Sequence, residues 1–214
     1  MVSRTSFDRA TRGAAVRRLL SSALVVASAL AVTACSETVR TGNASVYLVM
    51  NQLGGAPGGG SASTFDTKLS SDVVTNGTVY EDLGQATISL GQKDITSPIS
   101  SNNYVTITRY HVDFVRSDGR NTPGVDVPYG FDGAVTFTVT EGAATGTFVL
   151  VRAQSKLEPP LISLRGGGGQ IAISTIAQVT FYGRDQVGND VSVSGSIGVN
   201  FADWGDPSTE SNGS

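Results

Sequence analysis

The chain of 214 residues has one Cys, one His, one Trp and two Met. A single Cys excludes a disulfide scaffold. With only one His beside it, the chain also lacks the ligands of a structural zinc site, whether four cysteines or two cysteines and two histidines. A Cys–His or Ser–His–Asp catalyst would have to use His111, and no Gly-x-Ser-x-Gly elbow supplies a nucleophile. Charged residues are sparse at 15% and aromatics at 7%. What is plentiful is glycine, with 26 residues. The glycines have no three-residue period, so the chain is not collagen-like. The apolar content of 39%, set against so little charge, argues for a folded core rather than a disordered chain.

The first 34 residues read as a leader. Arg4, Arg9, Arg12, Arg17 and Arg18 oppose a single Asp8. An apolar run of 16 residues follows, from Leu19 to Ala34. A membrane-spanning helix needs about 20. A basic start, a short apolar run and small residues at its end form the signal-peptide pattern.

The run closes on Val32-Thr33-Ala34-Cys35, and Cys35 is the only cysteine. This resembles the lipobox of bacterial lipoproteins. The resemblance covers the first 36 residues, and Val32 stands where Leu is usual. It implies cleavage before Cys35, lipidation of that Cys by diacylglycerol and a further acyl chain, and attachment to the cell envelope. Ser36, rather than Asp, at the second mature position implies the outer membrane. Two or three acyl chains anchor stably, because each buried CH2 contributes about 0.8 kcal/mol.

Removing the leader changes the charge balance. It takes five of the 15 basic residues and one of the 18 acidic ones, leaving ten against seventeen and a net charge of −7. That excludes nucleic acid as the expected partner, because phosphate binding needs clustered Lys and Arg. The expected contact with the membrane is the lipid alone. The protein or glycan partner has no signature in the sequence.

Residues 35–43 then form the lipidated Cys and a tether. At full extension its polar part reaches about 30 Å from the bilayer, at roughly 3.3–3.6 Å per residue. Residues 44–202 form one domain, and residues 203–214 a short polar tail. No stretch of the domain keeps a helical period, and no repeat of 20–50 residues is present. Alternation of apolar with Thr, Ser and polar residues marks strands instead. Strands are predicted over 44–50, 68–75, 86–90, 104–116, 134–140, 147–154, 171–182 and 191–201. The run 104–116 has mixed faces, with Tyr110, Val112 and Phe114 on one and Val105, Ile107 and Val115 on the other. A bulge midway would reconcile them. Gly54 to Ser63 and Gly166 to Gly169 read as loops. The segment Arg184 to Asp190 carries hairpin-turn residues.

This pattern predicts an all-β fold, an antiparallel β-sandwich of about eight or nine strands. The final hairpin, Phe181 through Gly188-Asn189 into Val193, resembles the closing strands of bacterial immunoglobulin-like domains over about 20 residues. That resemblance implies an immunoglobulin-like sandwich, though the immunoglobulin disulfide is absent and Trp204 lies past the last strand. A closed lipocalin-like barrel is the alternative.

Candidate sites are few. Alternation puts Arg109, His111 and Asp113 on one face, either as an acid–base cluster or as a solvated polar row. Asp118, Asn121, Asp126 and Asp132 are the candidate ligands for a hard cation such as Ca2+, which takes six to eight oxygens. Their spacing is not that of an EF-hand, and all four are ordinary turn residues. Asp185, Asn189 and Asp190 pose the same choice. Tyr129 and Phe131 are candidates for an aromatic platform that binds a glycan or peptide, or for a plug at one end of the core. No catalytic residue is assigned. The expected function is that of a non-enzymatic, membrane-anchored binding or structural module. The rivals are a hydrolase acting on an envelope glycan through Asp113, Asp118, Asp126 or Asp132, and a small-ligand carrier.

Overall fold

The computed structural model describes residues 42–60 and 64–204. The leader, Cys35, most of the tether and the tail beyond Trp204 lie outside the described residues. Among the described residues strand dominates and helix is confined to single turns, so the domain is all-β.

Eight strands are present among the described residues: β1 (Val46–Ala56), β2 (Lys68–Asp72), β3 (Asp82–Gln92), β4 (Val105–Val115), β5 (Phe131–Val139), β6 (Ala144–Val151), β7 (Ile173–Asp185) and β8 (Asp190–Ala202). They form a three-stranded sheet in the order β1-β3-β6 and a five-stranded sheet in the order β2-β8-β7-β4-β5. The sequence predicts antiparallel pairing throughout. β2 departs from it, running parallel to β8. Hairpin turns impose antiparallel pairing. β2 has no hairpin with β8, which lies more than a hundred residues later, so no turn dictates its direction.

The two sheets share one core. The mixed faces of β4 resolve as a bulge. The register on both neighbouring strands slips between Ile107 and Arg109. Relative to β7, β4 has one extra residue, Thr108, which turns Val105 and Ile107 to the same side as Tyr110, Val112 and Phe114, and all five are buried. The same slip carries Arg109, His111 and Asp113 together to the outer face.

Aromatic rings from both sheets meet at the centre. The Phe148 ring of β6 lies 4.9 Å from Tyr110 and 5.1 Å from Phe181, edge to face in both cases. The glycines explain how such rings fit. Gly84 pairs directly with Phe148, Gly91 with Tyr47 and Gly133 with Tyr110. At each, the partner's ring covers the glycine so closely that an added Cβ would sit 2.2–2.4 Å from it. Gly146 of β6 is covered in the same way by Phe137 of β5, which belongs to the other sheet. Glycine is costly inside a strand because it adds entropy and no packing surface, and an aromatic laid over it restores the surface.

Two local expectations are corrected. Gly54 and Gly55 belong to β1, not to a loop. A Cβ on Gly55 would press on Leu69, Leu150 and Ile197 at 3.1–3.3 Å, so a larger residue there needs those side chains to give by a few tenths of an ångström. The strand predicted to Gln154 stops at Val151, and Ala153–Lys156 form a helical turn, α1. No residue of α1 is β-branched, so local preference for extended backbone is weak there. After it, Leu161–Leu164 form a 3-10 turn. A three-residue period places Leu161 and Leu164 on one side, and both are buried.

α1 also carries Lys156 into the interior. Its Nζ donates to Asp82 Oδ1 at 2.8 Å, and both side chains are 1% exposed. Asp82 accepts further hydrogen bonds from the Gly58 N–H on Oδ1, at 2.9 Å, and from the Ser71 hydroxyl on Oδ2, at 2.6 Å. Three segments therefore converge on the one carboxylate that β3 carries. Removing one member of a buried charge pair is strongly destabilising, because the other charge is left desolvated.

Two substitutions test the packing. Phe181→Ala should lower the unfolding free energy by about 3–5 kcal/mol, since the ring is fully buried among three other aromatics. Gly84→Ala should lower it by about 1–3 kcal/mol through overpacking against Phe148. Urea titration of each variant against the parent reads both. An unchanged midpoint in Gly84→Ala would show that the ring has room to move.

Candidate functional site

The outer face of the five-stranded sheet collects the polar side chains that the sequence singles out. In register, Asp132 of β5 sits opposite His111 of β4, His111 opposite Thr180 of β7, and Thr180 opposite Ser194 of β8. The row is knitted by side-chain hydrogen bonds. His111 Nδ1 lies 3.2 Å from Asp132 Oδ1, and Thr180 Oγ1 lies 2.9 Å from Ser194 Oγ. His111 Nε2 lies 3.0 Å from Asp113 Oδ2, two residues along β4. Gly130 makes room for Asp113, because a Cβ there would fall 2.2 Å from Asp113 Oδ1.

One pair further along, Arg109 opposes Tyr182, and its guanidinium lies 4.2 Å above the ring centroid. Gln178 and Ser196 extend the face on the opposite side of the row, and both are exposed. The sequence reading that Arg109, His111 and Asp113 share a face is correct. Asp132 joins them, which alternation along β4 alone did not reveal.

His111 is the group on this face whose titration falls near neutrality. Partial burial disfavours the imidazolium. The hydrogen bonds and charges of Asp113 and Asp132 outweigh that cost and raise its pKa above 6.5. The two carboxylates bind opposite ring nitrogens, so both N–H groups of the cation have acceptors. The cluster is 32% exposed at the imidazole and more at both carboxylates.

The candidate cation ligands are dispersed among separate partners. Asp118 takes the guanidinium of Arg116 at 2.6 Å and that of Arg120 at 3.1 Å. The Arg116 hydrogen bond, aided by Arg120, holds its carboxyl well below the usual carboxylate range. Asn121 Oδ1 accepts the Arg116 N–H, and Asp126 Oδ2 accepts the Thr122 N–H. Asp132 belongs to the His111 cluster. Among the described residues, no group of three or more His, Cys, Asp or Glu is arranged to hold a metal ion.

Tyr129 and Phe131 are separated by burial. Phe131 is a core residue, edge-on to Tyr110 and capped by the Arg152 guanidinium at 4.4 Å. Tyr129 is 51% exposed and lies over Gly124, whose added Cβ would fall 2.2 Å from the Tyr129 hydroxyl. Alternation cannot foresee this split, because both residues share a parity and Tyr129 precedes the strand.

The Asp185 segment is a capped turn. Burial raises the Asp185 pKa, but hydrogen bonds from the Asn189 side chain and from the Asn189 and Val187 N–H groups prevail and hold it low. Gly188 supplies the positive φ of 98° that the turn needs. Asp190 pairs with Arg184 at 2.8 Å.

No protein-family model, no curated protein and no solved structure matches this chain.

Because the chain has one His, its titration can be followed without assignment ambiguity. An NMR titration of His111 Hε1 should give a midpoint above 6.5, and Asp132→Asn should move it down. A raised folded-state pKa adds stability in full below the unfolded value near 6.5, and that contribution is lost as pH rises through the folded midpoint. At this exposure it amounts to no more than about 1 kcal/mol. A midpoint at or below 6.5 in the parent would show that the carboxylates do not hold the imidazolium.

Proposed function

We propose that the chain is a non-enzymatic lipoprotein of the bacterial cell envelope. A lipid on Cys35 holds it to the outer membrane, and an immunoglobulin-like β-sandwich serves as a binding or structural module. The contact surface is the polar face of the five-stranded sheet, and its partner is a polar surface, protein or glycan.

One observation carries this reading. The polar side chains gathered by the fold stand as mutually bonded pairs across an open sheet face: Asp132–His111–Asp113, Arg109–Tyr182 and Thr180–Ser194. Pairs fixed in this way present donors and acceptors at little further entropic cost, which suits recognition. A nucleophile beside a base, the signature of covalent catalysis, is not among them. The hydrolase reading keeps one specific foothold, since Asp113 and Asp132 share one imidazole.

Three measurements test the proposal. Cys35→Ala should shift the protein from the membrane fraction to the soluble one, whereas membrane retention would remove the anchor. The double variant Arg109→Ala, His111→Ala should keep the parent's thermal midpoint within a few degrees and lose whatever envelope component crosslinks to the parent. Hydrolysis of isolated cell-wall glycan by the parent, abolished in Asp132→Asn, would overturn the non-enzymatic reading.

A further inference from the structure

The buried pair of Lys156 and Asp82 is a nucleophile beside a carboxyl carbon. Both side chains are sealed from solvent, and the hydrogen bond between them is 2.8 Å long. No substrate reaches an atom in that position, so the chemistry open to the pair is with each other. The geometry points to an intramolecular amide bond between Lys156 Nζ and Asp82 Cγ, a covalent staple that forms after folding. This inference does not rest on the function proposed above.

Three features favour the reaction. Folding holds amine and carboxyl in contact, and such fixed proximity replaces an improbable bimolecular encounter. Burying two opposite charges in a low-dielectric interior carries a desolvation cost, and an amide removes both charges. The carboxylate is also supplied with donors at both oxygens. The Gly58 N–H points at Oδ1 and the Ser71 hydroxyl at Oδ2.

The step balances without a further reactant. The Lys156 ammonium passes one proton to Oδ1, its hydrogen-bond partner, leaving a neutral amine and a neutral carboxyl group. The nitrogen lone pair attacks Cγ, and the C=O electron pair moves to Oδ2, where the Ser71 hydroxyl stabilises it. The attacking nitrogen then gives a second proton to the Oδ1 hydroxyl. The Cγ–Oδ1 bond breaks, one water leaves and the C=O bond re-forms at Oδ2.

The site lies at one end of the domain, and the bond would join positions 74 residues apart. It would tie the start of β3 to α1, between the segments that carry Gly58 and Ser71.

Peptide mapping of the full chain tests this. After denaturation and trypsin digestion, the staple joins the peptide 69–93 to the peptide 153–165. The joined species has the summed mass less one water, and cleavage after Lys156 is blocked. Ser71→Ala should slow its appearance in newly made protein by about tenfold or more. Lys156→Met should give the two peptides only separately. Recovery of the separate peptides 69–93 and 157–165 from aged, folded parent protein, with no joined species, would overturn the inference. That readout uses the parent alone, so it stands even where a variant fails to fold.

Discussion

The carboxylate of Asp82 is the constraint on which the arrangement of the sheets depends. It sits at the head of β3, in the three-stranded sheet, and accepts from Ser71 of β2, in the five-stranded one. It also receives the Gly58 N–H from the connection leaving β1, and the ammonium of Lys156 from α1. A buried carboxylate is tolerated only when its acceptor capacity is met by donors, and here each donor comes from a different segment. Displacing any of those segments exposes an unmet charge. The short parallel strand β2, which no hairpin positions, is held in part by this bond.

Glycine and aromatic residues supply the complementary constraint. The chain has few rings and many glycines, and the fold uses the second to seat the first. Phe148, Tyr110 and Tyr47 each lie over a directly paired glycine, and Phe137 lies over a glycine of the other sheet. Phe148, Tyr110 and Phe137 thereby pack the inner face tightly, Tyr47 covers Gly91 on the outer face of the three-stranded sheet, and the outer face of the five-stranded sheet stays open and polar. The candidate site is a consequence of the bulge at Thr108. Without it, Arg109 and His111 would change faces with Tyr110, because side-chain direction has a period of two.

Much of this is legible in the sequence. All eight predicted strands exist, with ends shifted by a few residues, and the mixed pattern of β4 did report a bulge. The polar row of β4 was legible because alternation is local. In the sequence Asp132 reads as a candidate cation ligand, and its pairing with His111 is not visible there, because cross-strand register is set by the whole sheet. The aromatic pair Tyr129 and Phe131 divides between surface and core because β5 begins at Phe131, a boundary that alternation does not mark. The four candidate cation ligands met separate partners, Arg116 and Arg120 among them, whose proximity depends on loop geometry.

By itself the sequence determined the strand-rich class, the positions of the strands, the glycine-bearing hairpin turn and the polar row of β4. All of these follow from interactions between residues close in the chain. Only the tertiary structure decided the two-sheet order, the parallel pairing of β2, the covering of each glycine and the burial of Lys156 against Asp82. Those depend on groups tens of residues apart, whose meeting is selected by the packing of the entire core. A lysine after a strand looks solvated in sequence, and only closure of the fold around it makes its charge a buried one.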